Sequence, residues 1–270
     1  MQTGINWRVK DQVIVITGAS KGIGLATAQV LAARGARVAL LARNRDALND
    51  AVAAIGGERA LGIAADVSDR TALAAAFDQV VAQWGRIDGL VNNVGFPFAR
   101  RIEDVPEDEA RRIFDLNFFS TLFACQLAIP QLRKTGGGRI VNLSSASVRH
   151  ENEFAHMAMY SSAKAAVDHF TAELRSEVKG DGIMVTLFSP GAVATGSIAN
   201  FDPAVLPGAM AAWLEKGPKF DGAAQPEAIG EAIAACFELP PGVAVEFMEV
   251  RPNMPMPKLL ENEWEGETKQ

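Results

Sequence analysis

The sequence predicts an α/β fold: a doubly wound parallel sheet of about seven strands with helices on both faces. Three observations predict it. Short, nearly all-apolar runs rich in Val and Ile recur along the chain, as strands buried on both faces do. Longer amphipathic stretches alternate with them, and that alternation with short connections implies right-handed crossovers. The 270 residues also suit one large α/β domain, long enough to bury its apolar side chains without disulfides.

The elements follow in order. Val13-Ile14-Val15-Ile16 reads as the first strand, and a helical pattern from Ile23 to Ala33 is stopped by Gly35. Val38-Ala39-Leu40-Leu41 begins a second strand. Leu61-Gly62-Ile63-Ala64 precedes a helix from about Thr71 to Trp84, and Leu90-Val91 precedes a long helical region, Glu107 to Lys134. Pro130 must bend or break that helix. Arg139 to Leu143 precedes a helix around Tyr160 to Val178, and Ile183 to Phe188 forms a sixth strand. The rhythm fails between Pro190 and Pro226, where Phe201, Met210 and Trp213 sit among Gly and Pro. A segment of about 191–225 is therefore expected to be a substrate loop or lid, or a pair of short helices over the sheet edge. The acidic tail, about 258–270, is expected to be loosely ordered.

Composition narrows the function. Hydrophobic residues make up 49% and charged ones 21%, which excludes a disordered chain. A net charge of −6 with no basic tract argues against nucleic acid as a partner. Cys125 and Cys236 lie far apart, and the three histidines have no clustered thiols or carboxylates, so no metal is expected. Met1 to Asp11 is polar where a signal peptide needs an apolar stretch. No apolar run approaches the ~20 residues of a bilayer span. A cytoplasmic protein with no membrane partner is the expectation.

Chemistry enters directly after the first strand, in Thr17-Gly18-Ala19-Ser20-Lys21-Gly22-Ile23-Gly24. Glycines there allow a tight turn and close approach of backbone to a pyrophosphate, and the next helix points its free N–H groups at the phosphates. Gly18, Ser20, Lys21, Gly22, Ile23 and Gly24 are thus candidate cofactor residues, because the loop lies between a strand and a helix. The second strand ends Leu41-Ala42-Arg43-Asn44, without the carboxylate that would accept the ribose hydroxyls of NAD. Arg43 can instead pair with a 2′-phosphate, and Lys21 adds a second cation, so NADP(H) is preferred over NAD(H).

The only tyrosine in the chain is Tyr160, in Tyr160-Ser161-Ser162-Ala163-Lys164. Residues at i and i+4 share a helix face, so Tyr160 and Lys164 can point into one site. A nearby cation lowers the pKa of a phenol, which suits proton exchange with an alcohol or carbonyl oxygen.

With these residues the chain resembles the short-chain dehydrogenase/reductase (SDR) family, in its short single-domain branch, which has a Rossmann-type sheet. Matching segments run from Thr17 to Thr195: the glycine loop, Asp66-Val67, Asn92-Asn93-Val94-Gly95, Asn117, Asn142-Leu143-Ser144-Ser145, Tyr160 with Lys164, and Pro190-Gly191 with Thr195. The resemblance implies that Tyr160 is general acid in reduction and base in oxidation. It implies that Lys164 holds the nicotinamide ribose and lowers the Tyr160 pKa, and that Ser145 hydrogen-bonds the substrate oxygen. Asn117 would shape a helix and help hold a relay water. Asp66 and Val67 would contact adenine, Asn93 would lie by the adenosine ribose, and Thr195 and the backbone near Val193 would receive the carboxamide. Gly95, Pro190 and Gly191 complete the implied cofactor set.

Ser144 or Ser147 can stand in for Ser145, and Ser147 matters because the Ser145-to-Tyr160 interval exceeds the family's usual one, read as a small insertion around Arg149 to His156. His150 and His156 fall in that insertion and either line the pocket or are solvent-facing or structurally bonded. Val94 replaces a common alanine, and Arg251-Pro252-Asn253-Met254-Pro255 stands where the family often has Asp-Gly-Gly. A homodimer or homotetramer is expected, with a geometry that this ending leaves open. Phe96, Phe98, Met157, Met159, Phe201 and Trp213 offer an apolar pocket. The expected activity is NADP(H)-dependent carbonyl reduction or the reverse alcohol oxidation. A cofactor-binding sensor of the same fold without turnover is the alternative.

Overall fold

The computed structural model describes residues 8–150, 154–196, 201–216 and 222–253. The expected loose tail at 258–270 and part of the insertion before Tyr160 lie outside the described residues.

Seven strands pair in parallel: β1 (Val13–Thr17), β2 (Arg37–Ala42), β3 (Ala60–Ala64), β4 (Gly89–Asn92), β5 (Gly138–Leu143), β6 (Ile183–Pro190) and β7 (Phe247–Val250). Their spatial order is β3-β2-β1-β4-β5-β6-β7. The chain therefore walks outward one way from β1 and, after β3, returns to build the other way from β4. Strand order reverses between β1 and β4, and the crevice beyond their carboxyl ends is where such sheets bind ligands.

Alternation along each strand feeds two cores. Ile14 and Ile16 of β1, Val38 and Leu40 of β2, and Phe188 of β6 face α1 (Gly22–Ala33), α2 (Arg45–Ile55) and α8 (Pro226–Phe237). Val13, Val15, Ala39, Leu41 and Val185 face the opposite layer, with α3 (Arg70–Trp84), α5 (Ser120–Lys134) and α6 (Ala158–Val178). Full burial on both sides explains why these strands read as continuous apolar runs. Local signals close the helices: the Asn44 and Asp69 side chains cap α2 and α3, and Gly85, left-handed at φ 75°, ends α3. Gly230 lets α8 lie against α1, since a Cβ there would come within 2.9 Å of the Ala26 and Thr27 backbone.

The helix from Glu107 to Lys134 departs from expectation. It does not break at Pro130, which lies inside α5. The lost bond would have ended on the Gln126 carbonyl, and both residues are on the exposed side, where water can satisfy that oxygen. The irregularity comes earlier. α4 (Glu107–Phe114) passes through a π-helical turn, Asp115–Phe119, before α5 begins. By length and composition this 28-residue helix could cross a membrane, but Ala124, Cys125, Ala128 and Leu132 pack into the second core. Between β6 and α8 the described residues form one helix, α7 (Leu206–Lys216).

Candidate active site

The carboxyl ends of β1 to β6 deliver six loops to one cleft of about 750 Å³. The β1 loop turns through Gly18 at φ 65° and Gly22 at φ 57°, left-handed conformations in which a Cβ is strained. Lys21 stands at the N-cap of α1 without a side-chain capping bond, and the first turn holds no acid. The opening N–H groups and the positive end of the dipole thus stay available to an anion. Gly24 keeps the loop tight, because a Cβ there would meet Asn93 Nδ2 and the Gly18 oxygen at 2.6 Å. Gly22 faces Thr195, whose Cγ2 would lie 3.1 Å from an added Cβ, so the β6 loop closes on the glycine loop. These features fit a dinucleotide pyrophosphate.

The structure brings most predicted site residues to the wall of the cleft: Gly18, Ser20, Lys21, Gly22, Ile23, Arg43, Val67, Asn93, Gly95, Ser145, Tyr160, Lys164, Pro190, Gly191, Val193 and Thr195. Gly24, Asp66 and Asn117 stand behind it. The Asn93 amide is spent on structure, donating to the Thr17 oxygen at 2.9 Å and the Gly18 oxygen at 3.1 Å. Asp66 is held by its own turn, accepting from Ser68 N at 3.0 Å and Ser68 Oγ at 2.7 Å. Burial raises its pKa, but these bonds, with the Arg43 and Arg112 charges, hold the carboxyl below its usual range. Arg112, on α4, was not legible in the sequence. Its guanidinium lies 5.3 Å from the centroid of the cleft-lining Phe96 ring, a contact made only by folding.

Asn117 is completely buried in the π-helical turn. Its Oδ1 accepts from Phe96 N at 2.9 Å, and its Nδ2 donates to Phe96 O at 3.2 Å and Ile113 O at 2.9 Å. The two bonds to Phe96 brace the β4 loop beside Gly95, where an added Cβ would sit 3.3 Å from Lys164 Nζ, and the third ties the amide back to its own helix. The amide is thus committed to protein groups and shapes the helix at this turn.

Tyr160 and Lys164 project from one face of α6 into the cleft, both buried. Lys164 Nζ donates to Leu143 O at 2.9 Å and Val94 O at 3.4 Å. Burial pushes its pKa down to about 8, against the opposing pull of Asp168. Burial pushes the Tyr160 phenol up to about 12, and the group that opposes this is Ser145, through a hydrogen bond. The expectation that Lys164 depresses the Tyr160 pKa is therefore corrected. In the protein alone desolvation outweighs everything else, and the ammonium is engaged with two carbonyls. Ser145 is also singled out from its neighbours. Ser144 donates to Asp168, whereas Ser147 Oγ and N donate to Ser145 Oγ at 3.0 and 3.2 Å. The Ser145 hydroxyl proton is left for an oxygen at Tyr160.

An apolar cap closes the Tyr160 side. Ala99, Met157, Tyr160 and Ala209 form a small buried cluster with Phe154, Phe201 and Trp213 packed on it. The Phe201 and Trp213 rings meet edge to face at 5.8 Å. Trp213 Nε1 donates to Ala155 O at 2.7 Å, and Arg100 reaches Asp202 at 3.1 Å and Glu109 at 3.3 Å, so α7 is tied down at both ends. Phe96, Met157, Phe201 and Trp213 line the cleft, whereas Phe98 and Met159 do not. His150 bonds Glu249 at 2.7 Å, and the His156 carbonyl accepts from Arg100 N at 2.7 Å. Neither histidine is in the cleft wall.

Known proteins resemble this chain in sequence and fold. The short chain dehydrogenase family profile matches residues 12–205. An uncharacterised oxidoreductase of Staphylococcus saprophyticus is 32% identical over 91% of this chain and 97% of its own. The 7alpha-hydroxysteroid dehydrogenase of Escherichia coli is 33% identical over 72% of this chain and 76% of its own. Among solved structures, L-sorbose reductase from Gluconobacter frateurii, complexed with NADPH and L-sorbose, superposes with a TM-score of 0.81 at 25% identity, covering 93% of this chain and 98% of that one. An alcohol dehydrogenase from Thermococcus sibiricus, complexed with 5-hydroxy-NADP, gives 0.76 at 27% identity, covering 90% and 97%. A tyrosine and a lysine one helical turn apart, facing a glycine loop at the strand-order reversal, are thus matched by likeness over most of the chain's length, and the protein belongs to the short-chain dehydrogenase/reductase family of oxidoreductases.

Proposed function

We propose that this protein is an NADP(H)-dependent carbonyl reductase, or the reverse alcohol dehydrogenase, for a small apolar substrate. The observation that carries the reading is the buried Tyr160 phenol, one helical turn from Lys164 and sharing the cleft wall with Ser145. NADP(H) is supported by Lys21 and Arg43 in the cleft wall, by the missing acid at the end of β2, and by the NADP-type ligands named for two solved relatives. An apolar substrate is supported by Phe96, Met157, Phe201 and Trp213.

The bound nicotinamide supplies the hydride chemistry. The chain's residues do the rest. Uncapped N–H groups at the start of α1 would hold the pyrophosphate, and Lys164 would hold the nicotinamide ribose. Ser145 and Tyr160 converge on the substrate oxygen and stabilise the charge that develops there. Burial keeps the proton on Tyr160 in the protein alone, so the phenol can donate it to a carbonyl oxygen when the reaction runs as a reduction.

NADPH mixed with a panel of aryl and alicyclic ketones should lose its nicotinamide absorbance. Tyr160→Phe should cut kcat by roughly 10²–10⁴-fold while NADPH binding persists. Tight NADPH binding without turnover of any carbonyl, or full activity in the phenylalanine variant, overturns the reading.

A further inference from the structure

We propose that Asp168 is a positioning residue that clamps the Ser145 loop to the helix carrying Tyr160. The inference rests on the reading of Ser145 and Tyr160 given above, and extends it to a carboxylate outside the cleft wall.

Asp168 follows Lys164 by one helical turn on α6, so it rides on the same rod as Tyr160. Its carboxylate grips the β5 loop on both sides of Ser145. Ser144 Oγ donates to Oδ1, and Arg149 Nη2 lies 2.7 Å from Oδ2. Residues 144 and 149 bracket Ser145 and the short 3₁₀ turn Ala146–Val148 that it caps. One carboxylate therefore holds the start and the end of the segment that presents the hydroxyl. The Arg149 guanidinium in turn lies 4.1 Å from the centroid of the Phe247 ring on β7.

The pair is well shielded, with the Asp168 side chain 13% exposed and that of Arg149 35% exposed. A carboxylate so placed costs stability unless it is paired and hydrogen-bonded. Here the pairing is directed at a single loop, and that loop has a reason to need it. Fifteen positions of sequence separate Ser145 from Tyr160, so local backbone geometry does not by itself set their separation. A cross-link from the loop to α6 sets it instead.

Tyr160 is the only tyrosine in the chain, so protein isotopically enriched at tyrosine Cζ gives one resonance that reads the phenol's hydrogen bonding without any substrate. Asp168→Ala and Arg149→Ala should each move that resonance at least half of the way to its position in Ser145→Ala. Asp168→Ala added to Ser145→Ala should move it no further. If Asp168→Ala loses its circular-dichroism melt, Asp168→Asn and Arg149→Gln, which keep side-chain size, take its place with the same expected direction. An unmoved resonance, or an equal displacement with and without Ser145, overturns the clamp. In the reductase assay, Asp168→Ala should lower kcat about tenfold, with the NADPH dissociation constant within about twofold of wild type. Absence of turnover in the wild type defeats the proposed function alone, because the resonance test judges the clamp without it.

Discussion

Burial acts on Tyr160 and Lys164 from the same side of α6 and in opposite senses, keeping the proton on the phenol and easing it off the ammonium. Neither effect is visible in the spacing of the two residues, which tells only that they share a face. Arg43 is the contrary case, an exposed side chain whose proposed role depends on a ligand charge. Arg43→Ala should raise the KM for NADPH roughly ten- to hundredfold, as for a lost hydrogen bond to a charged group, and leave the KM for NADH nearly unchanged. Equal effects on both cofactors in steady-state assays would remove Arg43 from the 2′-phosphate. The serine choice also belongs at this scale. Three serines stood within reach in sequence, and the hydrogen bonds of Ser144 and Ser147 leave Ser145 as the one free to donate.

Among the elements, α1 matters most, because its first turn meets the cofactor and its body meets α8. Gly230 sets that second contact, with the Ala26 and Thr27 backbone 2.9 Å from where a Cβ would be. Backbone cannot move aside cheaply. Gly230→Val should therefore destabilise the protein by about 1–3 kcal/mol, lowering Tm by roughly 2–4 °C for each of those kcal/mol. A thermal melt equal to wild type would mean that α8 can slide. The helix Glu107–Lys134 shows how a local rule can point to the wrong place. Proline chemistry marked position 130, where solvent absorbs the cost, while the actual irregularity surrounds Asn117. That turn coincides with a buried amide that braces Gly95, a tertiary demand with no local signal beyond the asparagine itself.

Linkage between folding and pH is a property of the whole molecule. The folded pKa of Lys164, about 8, lies below its ordinary 10.5. Between those values the unfolded chain holds a proton that the folded protein has released, so this group makes stability rise with pH across the window and withholds that stability below about 8. Urea unfolding of wild type and Lys164→Met across the window should show the difference in stability growing in favour of wild type as pH rises. A difference independent of pH would mean that the lysine is not desolvated. Assembly is the second property at this scale. Phe118, Phe119 and Phe123 form a chain of ring contacts on α5 and the turn before it, with Phe119 38% exposed, and Phe247 on the edge strand is 44% exposed. Such apolar surface is expected of a homodimer or homotetramer. Light scattering at micromolar concentration should read a multiple of 28.7 kDa, and a monomer would count against it.

The amino-acid sequence by itself determined the α/β class, the phosphate-binding loop and the shared face of Tyr160 and Lys164, because each is written in near-neighbour spacing: apolar runs, glycines after a strand, residues four apart on a helix. Folding decided what depends on distance through space. It turned the Tyr160 pKa upward, spent the amides of Asn93 and Asn117 on the loops, placed Arg112 against Phe96, and set Asp168 across from both Ser144 and Arg149. Desolvation and long-range hydrogen bonds depend on which segments become neighbours, and no periodicity along the chain encodes that.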